Sequence, residues 1–434
     1  MREGEAVPAS GGFVGLSGSR IDMRAKGFPV LDGPLDPARI KELGWNLFDG
    51  SFLLPIMAVR SSALDHNIAL LASYAEDHGV WLAPHGKTTM APAIFRRQLD
   101  AGAWAMTLAT AWQGRVAEQA GVERILIANE VVDPGGLDWL ASTLTGGPEV
   151  YCWVDSIAGV DLLDARIGRP SRRLPVLLEI GLSDGRAGAR DFETALAVAR
   201  RIATSPALRL AGVSFFEGIA AGDTPEQRLA VVRDLIALAR RVAAAIEDIV
   251  VAGGGTEIVL TGGGSQYPDV VVEGLVPPLG TRLATRVVLR SGCTVTHDHG
   301  GYDLTSPFGS NGVRGGPRLR AALEVWAPVL STPEPGRAIV GAGKRDLSFD
   351  AGMPPVLARR GSDGVRREVR GDELAISRLN DQHAYVTVAG GPPLVVGDLI
   401  AIGIRHACTA MDRWRWLPVI DDEDRVVDAI ELIF

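Results

Sequence analysis

Lysine is nearly missing from this chain. Lys26, Lys41, Lys87 and Lys344 are the four lysines among 44 basic residues in 434, so positive charge is carried almost wholly by arginine. Arginine serves surface charge and ion pairs, but only an amine that can shed its proton forms a Schiff base. Cysteine is also scarce. Cys152, Cys293 and Cys408 are too few and too scattered for a disulfide framework, which excludes a small secreted scaffold and fits a reducing compartment, the cytoplasm. There is no basic excess: 44 basic against 52 acidic residues give −8, and no dense basic run offsets it, so a nucleic-acid partner has no electrostatic support. No apolar run is long enough to span a bilayer, and Met1–Glu5 lacks the apolar segment of a secretory signal.

What remains is an ordinary globular composition, 47% hydrophobic and 22% charged, in a chain long enough for one large core and a second domain. Residues 1–50, rich in Gly, Pro and Ser and weakly helical over Pro37–Leu47, read as an arm or cap. Strand-like runs then recur at Val80–Ala83, Ala105–Ala109, Arg124–Ala128, Val150–Val154, Pro175–Ile180, Leu210–Phe216, Glu257–Thr261 and Arg286–Leu289. Helical patterns such as Asp191–Ile202 and Pro225–Ile249 separate most of them. Eight strands alternating with helices over 51–310 predict an α/β fold, a (β/α)8 TIM-type barrel, with an open doubly wound sheet as the alternative. After about residue 310 short β-rich runs replace that rhythm: Ala321–Val329, Ala338–Val340, Ala384–Val388 and Leu399–Ile404. Residues 311–434 therefore read as a mostly-β domain.

In a parallel barrel, chemistry sits on the loops after the strands. Lys87 lies just past the first of these strands, in Pro84-His85-Gly86-Lys87-Thr88, and His85 two residues earlier can share its site. Thr261-Gly262-Gly263-Gly264-Ser265 follows the seventh strand, where glycine amides can ring an anion; Gly253–Gly255 reads as a plain loop. Arg186, flanked by Gly185 and Gly188 after the fifth strand, can reach a heterocycle or a carboxylate. His406-Ala-Cys408 ends the Leu399–Ile404 strand, where i and i+2 face one way, so imidazole and thiolate can close on one metal, best zinc. Asp412 is a possible further ligand, and His297-Asp298-His299 is a rival pair. An amine, an anion cradle, an arginine and a Lewis-acid pair together match pyridoxal phosphate as cofactor.

The chain resembles the D-serine dehydratase and D-threonine aldolase group of alanine-racemase-fold, pyridoxal-phosphate enzymes. The resemblance rests on Pro84-His85-Gly-Lys87-Thr88, Glu179-Ile-Gly with Arg186-Ala-Gly188, Thr261-Gly-Gly-Gly264, Leu289-Arg-Ser-Gly292, Gly343-Lys344-Arg345-Asp346, Asp381-Gln-His383 and His406-Ala-Cys408, in that order from about Pro55 onward. It implies a barrel with a C-terminal β domain, usually a homodimer, acting on small D-β-hydroxy amino acids. It further implies Lys87 as the Schiff-base residue, Arg186 as a contact to the cofactor ring, Gly262–Gly264 as phosphate ligands, and His406 with Cys408 as the metal pair.

Two departures bear on the reaction. Aldolase-type members often carry a histidine where this chain has Thr89, and Tyr-His where it has Phe216-Glu217. Their metal pair tends to be His with Asp, whereas His with Cys is the dehydratase pattern and suits zinc. The expectation is a lyase that eliminates water from a D-β-hydroxy amino acid such as D-serine or D-threonine, giving a 2-keto acid and ammonia. D-Threonine aldolase, amino-acid racemase and non-catalytic pyridoxal-phosphate carrier are the alternatives, in that order.

Overall fold

The computed structural model describes residues 18–312 and 316–434. The part of the N-terminal arm before residue 18 lies outside them. The first strand, β1 (Ile56–Arg60), does not join the sheet that follows it in the chain. The next eight do: β2 (Trp81–Leu82), β3 (Met106–Leu108), β4 (Arg124–Glu130), β5 (Glu149–Val154), β6 (Leu174–Ile180), β7 (Leu208–Phe215), β8 (Glu257–Gly262) and β9 (Ala284–Leu289). They form one parallel sheet in the order β2-β9-β8-β7-β6-β5-β4-β3. Its two ends meet at a seam where Trp104 donates to the Leu82 carbonyl at 2.7 Å and Thr107 to that of Pro84 at 2.9 Å. All eight barrel strands expected from the apolar runs are present.

Side-chain alternation sets the layers. Leu126, Trp153, Leu177, Ala211, Val259 and Val288 fill the barrel interior, while Ile127, Cys152, Val176, Leu178, Ile258 and Leu260 face the helices outside. The loops at the strands' C-terminal ends are pinned by side-chain caps on the helices they lead into. Thr110, Asp133, Ser156, Asp191 and Thr224 each accept a backbone N–H from the first turn. Each such cap contributes about 1 kcal/mol.

The rest of the chain adds β10 (Leu323–Glu334), β11 (Arg337–Val340), β12 (Val356–Arg360), β13 (Arg366–Glu368), β14 (Leu374–Leu379), β15 (Ala384–Val388), β16 (Leu399–Gly403), β17 (Trp416–Ile420) and β18 (Val426–Glu431). These make the mostly-β domain, with β13-β12-β16-β10-β1-β17-β18 as its main path and β11, β15 and β14 branching from β10. Here β1 is a correction: the segment 51–310 was read as barrel, yet Ile56–Val59 pair antiparallel with Trp326–Leu323, and Val59–Arg60 run parallel to Val419–Ile420. Met57 and Val59 face the core shared with Leu64, Val325 and Leu417. Ile56 and Ala58 face the opposite side, where Ile21, Phe28, Ile40 and Leu47 of the arm cover Trp326 and Trp416.

Candidate active site

Lys87 sits in a single helical turn, Gly86–Thr88, directly above β2. The turn needs glycine at 86, because a Cβ there would stand 2.6 Å from the Phe95 ring. His85, beside it, is half-buried; burial, then the charges of Lys87 and Arg290, hold its pKa well below the ordinary imidazole value, so it is neutral. Its Nδ1 has no hydrogen-bond partner.

The interior-facing register of β5, β6 and β9 continues upward to Trp153, Glu179 and Arg290, which line the same cavity as Lys87 and His85. Arg290 is buried; it donates to the Phe215 carbonyl, and its Nε is unpartnered. Glu179 meets Glu130 from β4. Burial, with Glu179 and Asp155 close by, pushes the Glu130 carboxyl up to about 8, so Glu130 holds a proton and hydrogen bonds to Glu179. Arg186 lies over the Phe216 ring at 4.5 Å. The triple-glycine turn is tied down: the Gly263 and Gly264 amides both donate to the buried Glu217 carboxylate, and Ser291 Oγ donates to their carbonyls. Gly263 has φ +82, a conformation glycine adopts without strain.

The β domain closes the other side. His406 and Cys408 enter the cavity with Cys293 and Tyr302. Cys408 Sγ lies 3.3 Å from Cys293 Sγ and 3.3 Å from Thr88 Oγ1. Hydrogen bonds from Cys293, His406 and Thr88 draw the Cys408 thiol down to about 4. The bond to Cys408, then that to Asp350, raises His406 to about 9. Asp350 Oδ2 is 2.6 Å from His406 Nδ1, and Thr409 Oγ1 donates to its other oxygen at 2.7 Å. The cavity has a volume of about 410 Å3.

Lys87, His85, Arg186, Gly263, Gly264, His406 and Cys408 are therefore brought together, whereas Thr261 and Gly262 do not line the cavity. Thr261 Oγ1 bonds to the Val288 carbonyl within the barrel wall, and Gly262 packs on Phe215. His406 and Cys408 meet for a different reason from the expected one: β16 ends at Gly403, and the pair sits on the turn into the short helix Cys408–Met411. The rival histidines point elsewhere. His297 contacts Asp303 at 3.2 Å, and His299 Nδ1 accepts from the Ile404 amide. Asp412 pairs with Arg413. Arg290, Glu179, Glu217 and Cys293 were missed as site residues. The i+2 alternation from Val288 to Arg290 and from Leu177 to Glu179 could have found two of them; Asp350 has no local signal.

Family comparisons agree with this architecture. Residues 59–270 match the alanine racemase N-terminal domain, and residues 322–420 match a serine dehydratase domain. The chain has an alanine-racemase-like fold. Similar proteins include the D-threonine aldolase of an Arthrobacter species, 25% identical over 78% of this chain and 80% of that one. A 3-hydroxy-D-aspartate aldolase of Paracoccus denitrificans is 24% identical over 76% and 79%. Among solved structures, D-threonine aldolase from Filomicrobium marinum superposes with a TM-score of 0.72 at 22% identity, covering 92% of this chain and 98% of its own. D-threo-3-hydroxyaspartate dehydratase from a Delftia species gives 0.67 at 22%, covering 88% and 97%. Among the described residues, no helix is long and apolar enough to cross a membrane.

Proposed function

We propose that the protein is a pyridoxal-phosphate- and metal-dependent lyase of D-β-hydroxy amino acids, with elimination of water as its reaction. The observation that carries this reading is the meeting, in one cavity, of the Lys87 amine with the His406–Cys408 pair.

The residues present suit the cofactor. The cavity is roomy enough for a small aromatic phosphate ester, and two of its lining residues, His85 and Arg290, keep buried nitrogens without partners. Lys87 would anchor the aldehyde carbon, Arg186 and Arg290 would flank the ring, and Ser265 with the Gly264 end of the turn would take the phosphate. When bound, the cofactor supplies an electron sink for the carbanion formed at the substrate α-carbon. Lys87 takes the α-proton, an amine's role once displaced by substrate. Neutral His85 can hold or return a proton beside it. Arg186 offers a guanidinium to the substrate carboxylate.

A nitrogen and a thiolate donor suit zinc. Among the described residues, no group of three or more His, Cys, Asp or Glu is arranged to hold a metal, so His406 and Cys408 would form an open two-donor site. There the ion could act as Lewis acid on a β-hydroxyl. A relative of similar fold, D-threo-3-hydroxyaspartate dehydratase, has been solved as a cysteine-to-alanine variant in a metal-free form. The homodimer and the cytoplasmic address belong to the same reading, the latter supported by three free cysteines.

Retro-aldol cleavage is the second reading, favoured by the aldolase relatives. Against it, Thr89 does not line the cavity, and Glu217 is spent on the glycine turn rather than free to act as a base. Incubation with a panel of D-β-hydroxy amino acids decides between them: ammonia with a keto acid supports elimination, and glycine with an aldehyde replaces it.

A further inference from the structure

Cys293 and Cys408 come from the two domains. Cys293 begins the single turn Cys293–Val295 after the last barrel strand, and Cys408 begins the helix Cys408–Met411 of the β domain. Their sulfurs are 3.3 Å apart, both are free, and both line the cavity, so a small solute that enters it reaches them. Cys152 differs: it is fully buried on the helix-facing side of β5.

We propose that Cys293 and Cys408 form an oxidation site that closes to a disulfide under a hydroperoxide, joining barrel to β domain and withdrawing the Cys408 sulfur from metal binding. The Cys408 thiolate attacks the peroxide, breaking its O–O bond and leaving a sulfenic acid and hydroxide. The Cys293 sulfur then attacks that sulfenic sulfur, forming the S–S bond and expelling the second oxygen, which leaves as water with the thiol proton. Two electrons pass from the thiols to the peroxide. A thiol reductant returns both sulfurs. Cys293 thus protects its neighbour, because a sulfenic acid captured as a disulfide cannot proceed to the irreversible sulfinic acid. The metal consequence rests on the reading of His406 and Cys408 above; the disulfide itself does not.

The test treats purified holoenzyme with a small excess of hydrogen peroxide, blocks remaining thiols, and maps peptides by mass. The expected result is a Cys293–Cys408 cross-linked peptide lighter by two hydrogens, with metal released in parallel and both changes reversed by dithiothreitol. Cys293→Ala should give no cross-link and instead accumulate sulfinic acid at Cys408 that the reductant does not reverse. Cys152→Ser should leave the cross-link in place. Wild-type protein that carries sulfinic acid at Cys408 without a cross-linked peptide overturns the proposal. A cross-link formed with no release of metal leaves the disulfide standing and removes the reading of Cys408 as a metal ligand.

Discussion

Asp350 holds the ring of His406, its Oδ2 2.6 Å from Nδ1. A carboxylate on one ring nitrogen fixes the imidazole's orientation and leaves the other nitrogen for a metal. Asp350→Ala should therefore weaken metal retention about 10- to 100-fold while the fold persists. Zinc content after dialysis against a graded chelator checks this, and unchanged retention would show that Asp350 serves only the Thr409 contact.

Lys87→Ala should abolish the visible absorbance of bound pyridoxal phosphate and lower turnover by at least about 10³-fold. His406→Ala and Cys408→Ala should keep the absorbance but lose metal. If chelated enzyme, or the Cys408 variant, remains fully active, the metal has no part in the reaction.

Glu217 ties down the triple-glycine turn that lines the cavity. Glu217→Ala strips the buried Gly263 amide and the part-buried Gly264 amide of their acceptor, a cost of up to about 1–3 kcal/mol for each. The expected outcome is a lower melting temperature together with weaker cofactor binding, read by equilibrium dialysis. Gly263→Ala should act similarly, because its φ of +82 disfavours a side chain and the new Cβ would meet Leu289 at 2.6 Å.

Glu130 carries a pH signature. Its folded pKa is raised to about 8 from 4.5 by burial and by Glu179 and Asp155, while the charges of Arg290 and Arg186 act on Glu179. The folded state thus binds more protons than the unfolded state between those values, so stability falls as pH rises from 4.5 toward 8. Glu130→Gln keeps a donor to Glu179 and cannot ionise. At pH 8 it should be more stable than the parent, by on the order of 1 kcal/mol after allowing for solvent screening, and equal to it near pH 4. Thermal melts across that range check the slope.

The barrel was legible because its signals are local: an apolar run, then a turn, then a helical stripe, eight times over. Lys87 stood out for the same reason, at the end of such a run beside Gly86. β1 was not among the runs read as strands, and its partners Trp326 and Val419 are distant in sequence, so nothing local marks the sheet it joins. Asp350 finds His406 only through tertiary folding. His406 and Cys408 do line one cavity, though a turn rather than a strand presents them. Thr261 and Gly262 belong to β8 itself, so the residues beyond them, from Gly263 onward, reach the cavity. Arg366–Glu368, charged throughout, carries no apolar pattern that would mark it as an edge strand.

The position of β1 has a consequence for biogenesis. On the ribosome, Ile56–Val59 emerges long before β10 and β17, the two strands that will flank it, have been synthesised. The barrel can assemble from consecutive segments as they appear, but this apolar ribbon must wait, exposed or chaperone-held, until translation is nearly finished. A nascent chain stalled after β9 should accordingly show this ribbon as its principal chaperone-binding segment.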